Sequence, residues 1–548
     1  MKSPCATTCS VARHELISEA DKALRTADYA KAAKLYQSDL ASHQENTDLT
    51  IGLVHALLHQ QKVQEAEDAV KAALIKAPNS AALITLRGEV EYRQGTPWAA
   101  GDSAFVSLKL DPCNPRTHLL LADLDRLSSL YASSRAHLED AHRLDPVDPE
   151  IRLEWIETLS PKERIAELEA YLSSPMGDDE DDVRHLRQYL ERLKKMAAEP
   201  HKACHLVSQV TATEIPFDRI MVDATRASGF GLDVKLNGHN SLLEVDTGAG
   251  GLLISRSLAK HAGIKSFSAT EMSGVGDEGY KPGYSAYADS IRIGNLEFQD
   301  CMVEVMDSRS ALSDEDGLIG MDVFSRFLVT LNYPKHKLIL GPLPPRPGES
   351  VAALTLKTGE MESDDSNDAE EPSTTEKQDN SATNSSAAST AAKNAAPINK
   401  PHGPYDRYIA PEMKDYTKVY RVGHLLILPA GLNYEKIRLF VLDTGAFATT
   451  ISPQAAREVT KVYSNYNLRV QGISGDVKDV FTANEITFRF AQLSQKVNGV
   501  VSIDTSKSSK DIGIELSGFL GASTLNHLTI HIDYRDGLVK FDYDPKHD

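Results

Sequence analysis

The segment LEVDTGAGGLLIS, residues 243–255, returns almost intact as FVLDTGAFATTIS at residues 440–452. Setting Asp246 on Asp443 gives an offset of 197 residues. Thr247, Gly248, Ala249, Ile254, Ser255 and Ala259 then fall on Thr444, Gly445, Ala446, Ile451, Ser452 and Ala456. Downstream, with a small slip, SGVGDEG (273–279) matches QGISGDV (471–477), and DGLIGMDVF (316–324) matches SGFLGASTL (517–525). Each copy closes on a similar strand, FLVTLNYPKHKLIL beside LTIHIDYRDGLVKF. The second half of the chain is therefore expected to fold as two copies of one unit.

The texture around these copies is that of strands. GFGLDVKLNGHNSLLEV alternates and carries Asn237-Gly238, the signature of a hairpin turn. The two copies span 205–343 and 403–548. Between them, residues 344–402 are rich in Pro, then acids, then Ser, Ala, Thr and Asn, and cannot bury a core. Residues 360–379 alone hold nine acids and one lysine. A disordered acidic linker is the expectation.

The first part of the chain has a different period. Pro78, Pro112 and Pro146 stand 34 residues apart, and Ala32, Ala66, Ala100 and Ser134 keep the same step. Ala20, Gly88 and Ala122 follow a third register of small residues, with Val54 as the exception. Small residues let paired helices approach closely, and the proline falls where a second helix must stop. A helix-turn-helix period of this length resembles the tetratricopeptide repeat. It implies an all-α solenoid over residues 12–200, of a kind that holds a peptide or protein partner on its concave face.

Within the solenoid, HALLH sets His55 and His59 one turn apart, but Ala56 stands where zinc peptidase chemistry needs a glutamate, so packing is expected. HKACH (His201, Cys204, His205) lacks a fourth ligand, and no metal or cofactor is expected. The run Asp178–Asp182 precedes VRHLRQYLERLKKM and reads as a helix cap.

Bulk properties narrow the function. A net charge of -19 argues against nucleic acid, and no apolar run reaches membrane-spanning length. The five cysteines, Cys5, Cys9, Cys113, Cys204 and Cys301, are scattered and odd in number, so no disulfide framework is expected. MKSPCATTCSVARHEL has no apolar stretch of the signal-peptide kind, which points to the cytoplasm; a displaced start would instead admit export to the periplasm.

The doubled Asp-Thr-Gly-Ala, each followed by a Gly-bearing hairpin and an apolar-apolar-Gly element, resembles the retropepsin-like aspartic proteases. The resemblance covers both copies, about half the chain. It implies two all-β lobes forming a pseudo-dimer, an endopeptidase activity, a peptide or protein substrate and no cofactor. Combined with the helical repeats, it also implies a bacterial origin. The chemistry explains the doubling. Two carboxylates held close cannot both ionise, so they share one proton. One then takes a proton from water while the other donates to the scissile carbonyl oxygen.

Carried over residue by residue, the resemblance makes Asp246 and Asp443 the catalytic pair. Thr247 and Thr444 tie the two loops together; Gly248 and Gly445 permit tight turns and present N–H groups to the carboxylates. Gly274 and Gly276, with Gly472 and Gly475, become flap tips that close over a peptide. Gly320 and Gly521 permit chain crossing behind the loops. Alanine after each Asp-Thr-Gly, as in many viral members, withholds one hydroxyl donor from each carboxylate and leaves the pair easier to protonate. Asp277 and Glu278 in the first flap read as solvated turn residues rather than as selectors of basic side chains.

Two other readings stay open. The lobes could be an inactive peptide-binding scaffold whose repeats do the work. Alternatively, each lobe could pair with its like from another chain, although the linker favours pairing within one monomer.

Overall fold

The computed structural model describes residues 9–11, 18–43, 45–221, 227–306, 316–347, 349, 405–434 and 436–543. The acidic linker expected over 344–402 lies, from residue 350 on, outside them, as does Cys5.

The first part is a run of helices. They are α1 (Glu19–Arg25), α2 (Tyr29–Ser42), α3 (Thr47–His59), α4 (Val63–Lys76), α5 (Ala81–Arg93), α6 (Pro97–Leu110), α7 (Pro115–Leu127), α8 (Tyr131–Leu144), α9 (Pro149–Ile156), α10 (Pro161–Leu172) and α11 (Glu180–Ala198). The period read from the sequence is the packing period. Ala32, Ala66 and Ala100 are fully buried between helices, and α4, α6 and α8 each stop two residues before Pro78, Pro112 or Pro146. The buried Val54 occupies the one place where the small-residue register fails.

Alternate helices carry a polar ladder. His55 Nε2 lies 2.9 Å from Glu89, whose carboxylate accepts from Arg116 Nε at 2.9 Å, and Arg116 reaches Glu150 at 2.7 Å. His59 lies 3.6 Å from Glu150 and stacks on Tyr29. The ends of the array meet as well, with Gly177 N donating to Arg25 O at 2.8 Å. Both histidines of HALLH are thus spent on packing and pairing. The acidic run is a cap, Asp179 accepting from the backbone of Asp181 and Asp182 at the start of α11.

Two β-rich lobes follow. The first is built on a nine-stranded sheet, the second on a ten-stranded sheet, and a six-stranded sheet joins them. In the joining sheet Phe327–Asn332 pairs antiparallel with Leu528–Asp533, setting Val329 opposite Ile532. One apolar core therefore runs through both lobes, from Leu232 and Val245 to Leu428 and Phe541. Asn237 and Gly238 both take positive φ, as the hairpin turn between Ala227–Leu236 and His239–Asp246 requires.

The copies match in topology. Gly317–Gly320 runs parallel to the strand ending in Asp246 and antiparallel to Leu252–Ser255. Gly518–Leu520 does the same between Lys436–Leu442 and Thr450–Ile451.

The cysteine expectation is overturned. Cys9 is bonded to Cys113 and Cys204 to Cys301. The pairs are separated by 104 and 97 residues, so no local spacing announces them. Pairing of His205–Leu206 with Leu296–Met306 sets His205 opposite Gln299, which brings Cys204 to Cys301. That bond also removes Cys204 from any metal set.

The array packs on the lobes. Leu127 of α7 joins Ile427, Leu439, Val441, Ile514, Leu516 and Phe519 of the second lobe in one apolar cluster. α11 lies along the strand Ser266–Met272 of the first, with His185 Nε2 3.0 Å from Glu271. No helix among the described residues is long and apolar enough to cross a membrane.

Candidate active site

Asp246 ends the strand His239–Asp246, and Asp443 follows the strand Lys436–Leu442. Each strand starts exposed and is buried over the three residues or more before its aspartate, Leu243–Val245 and Leu439–Leu442, so both carboxylates leave the core at the same point of their lobes. The loops that follow are interlocked. Thr247 N donates to Thr444 Oγ1 at 3.0 Å, and Thr444 N donates to Thr247 Oγ1 at 3.1 Å. Thr247 Oγ1 in turn donates to Leu442 O at 2.7 Å, and Thr444 Oγ1 to Val245 O at 3.1 Å. Both threonines are buried. Four reciprocal hydrogen bonds thus fix one aspartate-bearing strand end against the other.

Of the two reasons expected for the motif glycines, Gly248 does present its N–H to a carboxylate, but the conformational reason gives way to another. Neither Gly248 nor Gly445 takes a positive φ. Space is what demands them. A Cβ on Gly248 would stand 2.9 Å from Asp443 Cγ, and one on Gly445 would stand 2.5 Å from Asp246 Cγ. Each glycine leaves room for the carboxyl of the opposite lobe. Gly320 and Gly521 also sit at close crossings, where a Cβ would meet Ala249 O at 2.4 Å and Ala448 O at 2.5 Å.

The carboxyl environments are similar but not equal. Asp246 Oδ1 accepts from Gly248 N at 2.7 Å; Asp443 Oδ1 accepts from Ala446 N at 2.9 Å. Burial raises Asp246, while N–H donors, Asp443 and the His424 charge pull it back. Asp443 is raised well above its ordinary value, first by burial and then by the neighbouring Asp246 charge. The pair titrates as a unit.

The four flap glycines come together. Gly274 and Gly276 lie between Ser266–Met272 and Lys281–Ile293, and Gly472 and Gly475 close the short hairpin Gln471–Asp476. Gly274 N donates to Ser474 Oγ at 3.1 Å, Ser474 N to Val275 O at 3.0 Å, and Glu278 N to Ser474 O at 2.8 Å. The tips also exchange lobes. Ile473 packs near Leu253, Leu318 and Ala249 of the first lobe, and Val275 packs on the cluster around Phe519 of the second. Asp277 is not merely solvated, since its carboxylate accepts from Lys478 N at 2.7 Å. Glu278 pairs with Lys281 at 2.5 Å.

Three neighbours of the pair were not singled out from the sequence. Tyr333 and Tyr534, buried at the ends of the matching strands, feel the Asp246 charge. Burial is the main reason both are raised. The alignment of FLVTLNY with LTIHIDY already superimposes them. His424 sits on the turn between Tyr420–Val422 and Leu425–Leu432, with Nε2 3.2 Å from Gly248 O. It lies outside the duplicated motif, so no pattern marks it.

The aspartyl protease family matches the chain over residues 232–323, and the tetratricopeptide repeat family over residues 23–90. The chain carries an aspartyl protease domain preceded by helical repeats. The first match spans Asp246, the first flap and Gly320. No curated protein matches the chain.

Proposed function

We propose that the chain is an aspartic endopeptidase of the retropepsin-like kind, with both lobes of one monomer contributing to a single active site. The observation that carries this reading is the reciprocal Thr247–Thr444 lock, which sets Asp246 and Asp443 face to face. Asp246 is the base and Asp443 the acid. As a water oxygen bonds to the scissile carbon, Asp246 accepts a water proton and Asp443 donates its proton to the carbonyl oxygen. The resulting diol collapses: the C–N bond breaks, Asp246 passes its proton to the departing nitrogen, and a diol hydroxyl returns one to Asp443. The flap tips must part to admit a peptide and re-close over it. The helical repeats recruit a protein substrate or partner.

Two disulfides favour an oxidising compartment over the cytoplasm. The exported reading is therefore the one we adopt.

The test is cleavage of a mixed peptide library from pH 3 to 7, with and without pepstatin, by wild type and by Asp443→Asn. Pepstatin-sensitive cleavage in mild acid, absent from the variant, is the expected result. A rate still rising below pH 3 would contradict a raised pair, because the pair would by then be fully protonated. Cleavage that persists in the variant would refute a shared site. Silence from the wild type would favour an inactive peptide-binding scaffold.

A further inference from the structure

One path of contacts leads from the helical array to the loop that carries Asp246. It begins at Tyr131, the first residue of α8. Arg421 Nη1 donates to the Tyr131 hydroxyl at 3.0 Å and to Tyr534 O at 2.6 Å. Its Nη2 donates to Gly423 O at 2.9 Å. One guanidinium thus fastens the Gly423–His424 turn to both the lobe core and the array. Further bonds hold the same corner. Tyr131 N donates to Tyr405 O at 3.2 Å, and Ser133 N to Asp406 Oδ1 at 3.0 Å. Leu127 packs beside Tyr420, Val422 and Leu425, which flank the turn.

His424 then reaches across to the first lobe. A carbonyl only accepts, so Nε2 must carry the hydrogen that it directs at Gly248 O, 3.2 Å away. The ring also lies against Gly250, where a Cβ would stand 2.6 Å from Nδ1. Any side chain at 250 would evict it. Gly248, whose carbonyl His424 holds, is the residue whose N–H binds Asp246 Oδ1 at 2.7 Å. The charged and titratable groups around this junction include Asp246, Asp443, Asp322, Arg421 and Tyr534.

We propose that His424 and Arg421 are positioning residues for the reaction, held in place by Tyr131, so that the helical array completes the active site as well as recruiting for it. This rests on the protease reading. The physical reason is geometric: a general base displaced by a fraction of its hydrogen-bond length loses much of its effect. His424 fixes the Gly248 loop, the loop aims Asp246, and the array decides where the His424 turn stands.

The full-length chain carries the test, with Tyr131→Phe, His424→Ala and His424→Gln beside wild type. Peptide cleavage gives kcat and KM. Amide hydrogen exchange, read by mass spectrometry on the peptide covering residues 243–252, reports the loop whether or not the protein cleaves. His424→Ala should lower kcat by roughly 10- to 100-fold with KM little changed. His424→Gln, which keeps a donor near the Nε2 position, should restore most of that loss. Tyr131→Phe removes one hydroxyl from the array and should lower kcat a few-fold while speeding exchange in the loop. Unchanged loop exchange in both His424→Ala and Tyr131→Phe would overturn the proposal, as would a rise in KM alone. If wild type does not cleave, the protease reading fails, and the exchange comparison still decides whether the array sets the loop.

Discussion

The two lobes share an aspartate, a threonine lock and a glycine crossing, yet they treat their carboxylates differently. In the first lobe the loop end is pinned by a charge, Gly251 N donating to Asp322 at 3.0 Å, and a histidine from the other lobe stands alongside. In the second lobe a neutral hydroxyl, Ser523, stands where Asp322 does, and it pins the loop one residue further on, Thr449 N donating to Ser523 Oγ at 3.0 Å. Asp246 accepts from the second residue after it, Asp443 from the third. The symmetric parts bring the carboxylates together; the asymmetric parts give each carboxylate a different setting. A dyad made by duplication can divide acid and base roles between its halves in a way that identical subunits cannot.

The largest break in the comparison comes from the carboxylates themselves. Asp246→Asn and Asp443→Asn should each lower kcat/KM by about 10²- to 10⁴-fold, and the double variant should lose little more, since both act in one step. Stability should separate them. A carboxyl whose folded pKa is raised contributes stability below its unfolded pKa, and that contribution is lost as pH rises through the folded value. Asparagine escapes this loss. Thermal unfolding at pH 7 should therefore show both variants gaining over wild type, Asp443→Asn more than Asp246→Asn, with the gain vanishing near pH 3. Equal gains would mean that the proton has no preferred side.

Next in size is the disulfide found in the first lobe. Cys204→Ser with Cys301→Ser should cost about 2–5 kcal/mol of stability, because the bond closes a long loop in the unfolded chain. The described residues of the second lobe include no cysteine, so the Cys204→Ser, Cys301→Ser double variant should soften the first lobe selectively, which exchange in Leu296–Met306 against Ile486–Phe490 would register. Softening of both together would show that the shared core makes them one cooperative unit.

The lock offers a sharper comparison at smaller cost. Thr247→Val and Thr444→Val each remove a buried hydroxyl that donates once and accepts once. Each should lower stability by about 1–3 kcal/mol in chemical denaturation. Reciprocal geometry predicts equal losses; a difference above about 1 kcal/mol would show that one strand end is supported elsewhere.

What could be read from the sequence follows from what repeats. The 34-residue step and the duplicated Asp-Thr-Gly survive as patterns because each is a local solution used more than once. They placed the buried alanines of the array and singled out the two aspartates, the threonines and the glycines Gly274, Gly276, Gly472 and Gly475. The features that escaped each occur once and join distant parts. Cys204 finds Cys301 only through strand pairing, and His424 finds Gly248 only after the lobes close. Gly248 and Gly445 were singled out for their N–H groups and for a conformational freedom they do not use, whereas the need that escaped is room for the opposite carboxyl. That need arises between lobes and leaves no mark on either motif alone.

The smallest expected effect tests the one position where the duplicated loops differ most in bulk. A Cβ on Gly250 would run into His424, whereas its counterpart Phe447, four residues after Asp443, is 65% exposed. An exposed ring beside a cleft is covered when an apolar substrate side chain lies on it, and burial of apolar surface at about 25 cal/mol per Å² makes even partial cover worth a several-fold change in affinity. Phe447→Ala should leave stability within about 0.5 kcal/mol, since the ring packs little. It should raise KM several-fold for peptides with a large apolar residue on that side of the scissile bond and leave kcat nearly unchanged. The reciprocal Gly250→Ala pushes on His424 instead and should lower kcat. If both variants altered KM alone, the two loops would be equivalent walls of one cleft, and the division of labour between the lobes would rest on the carboxylates only.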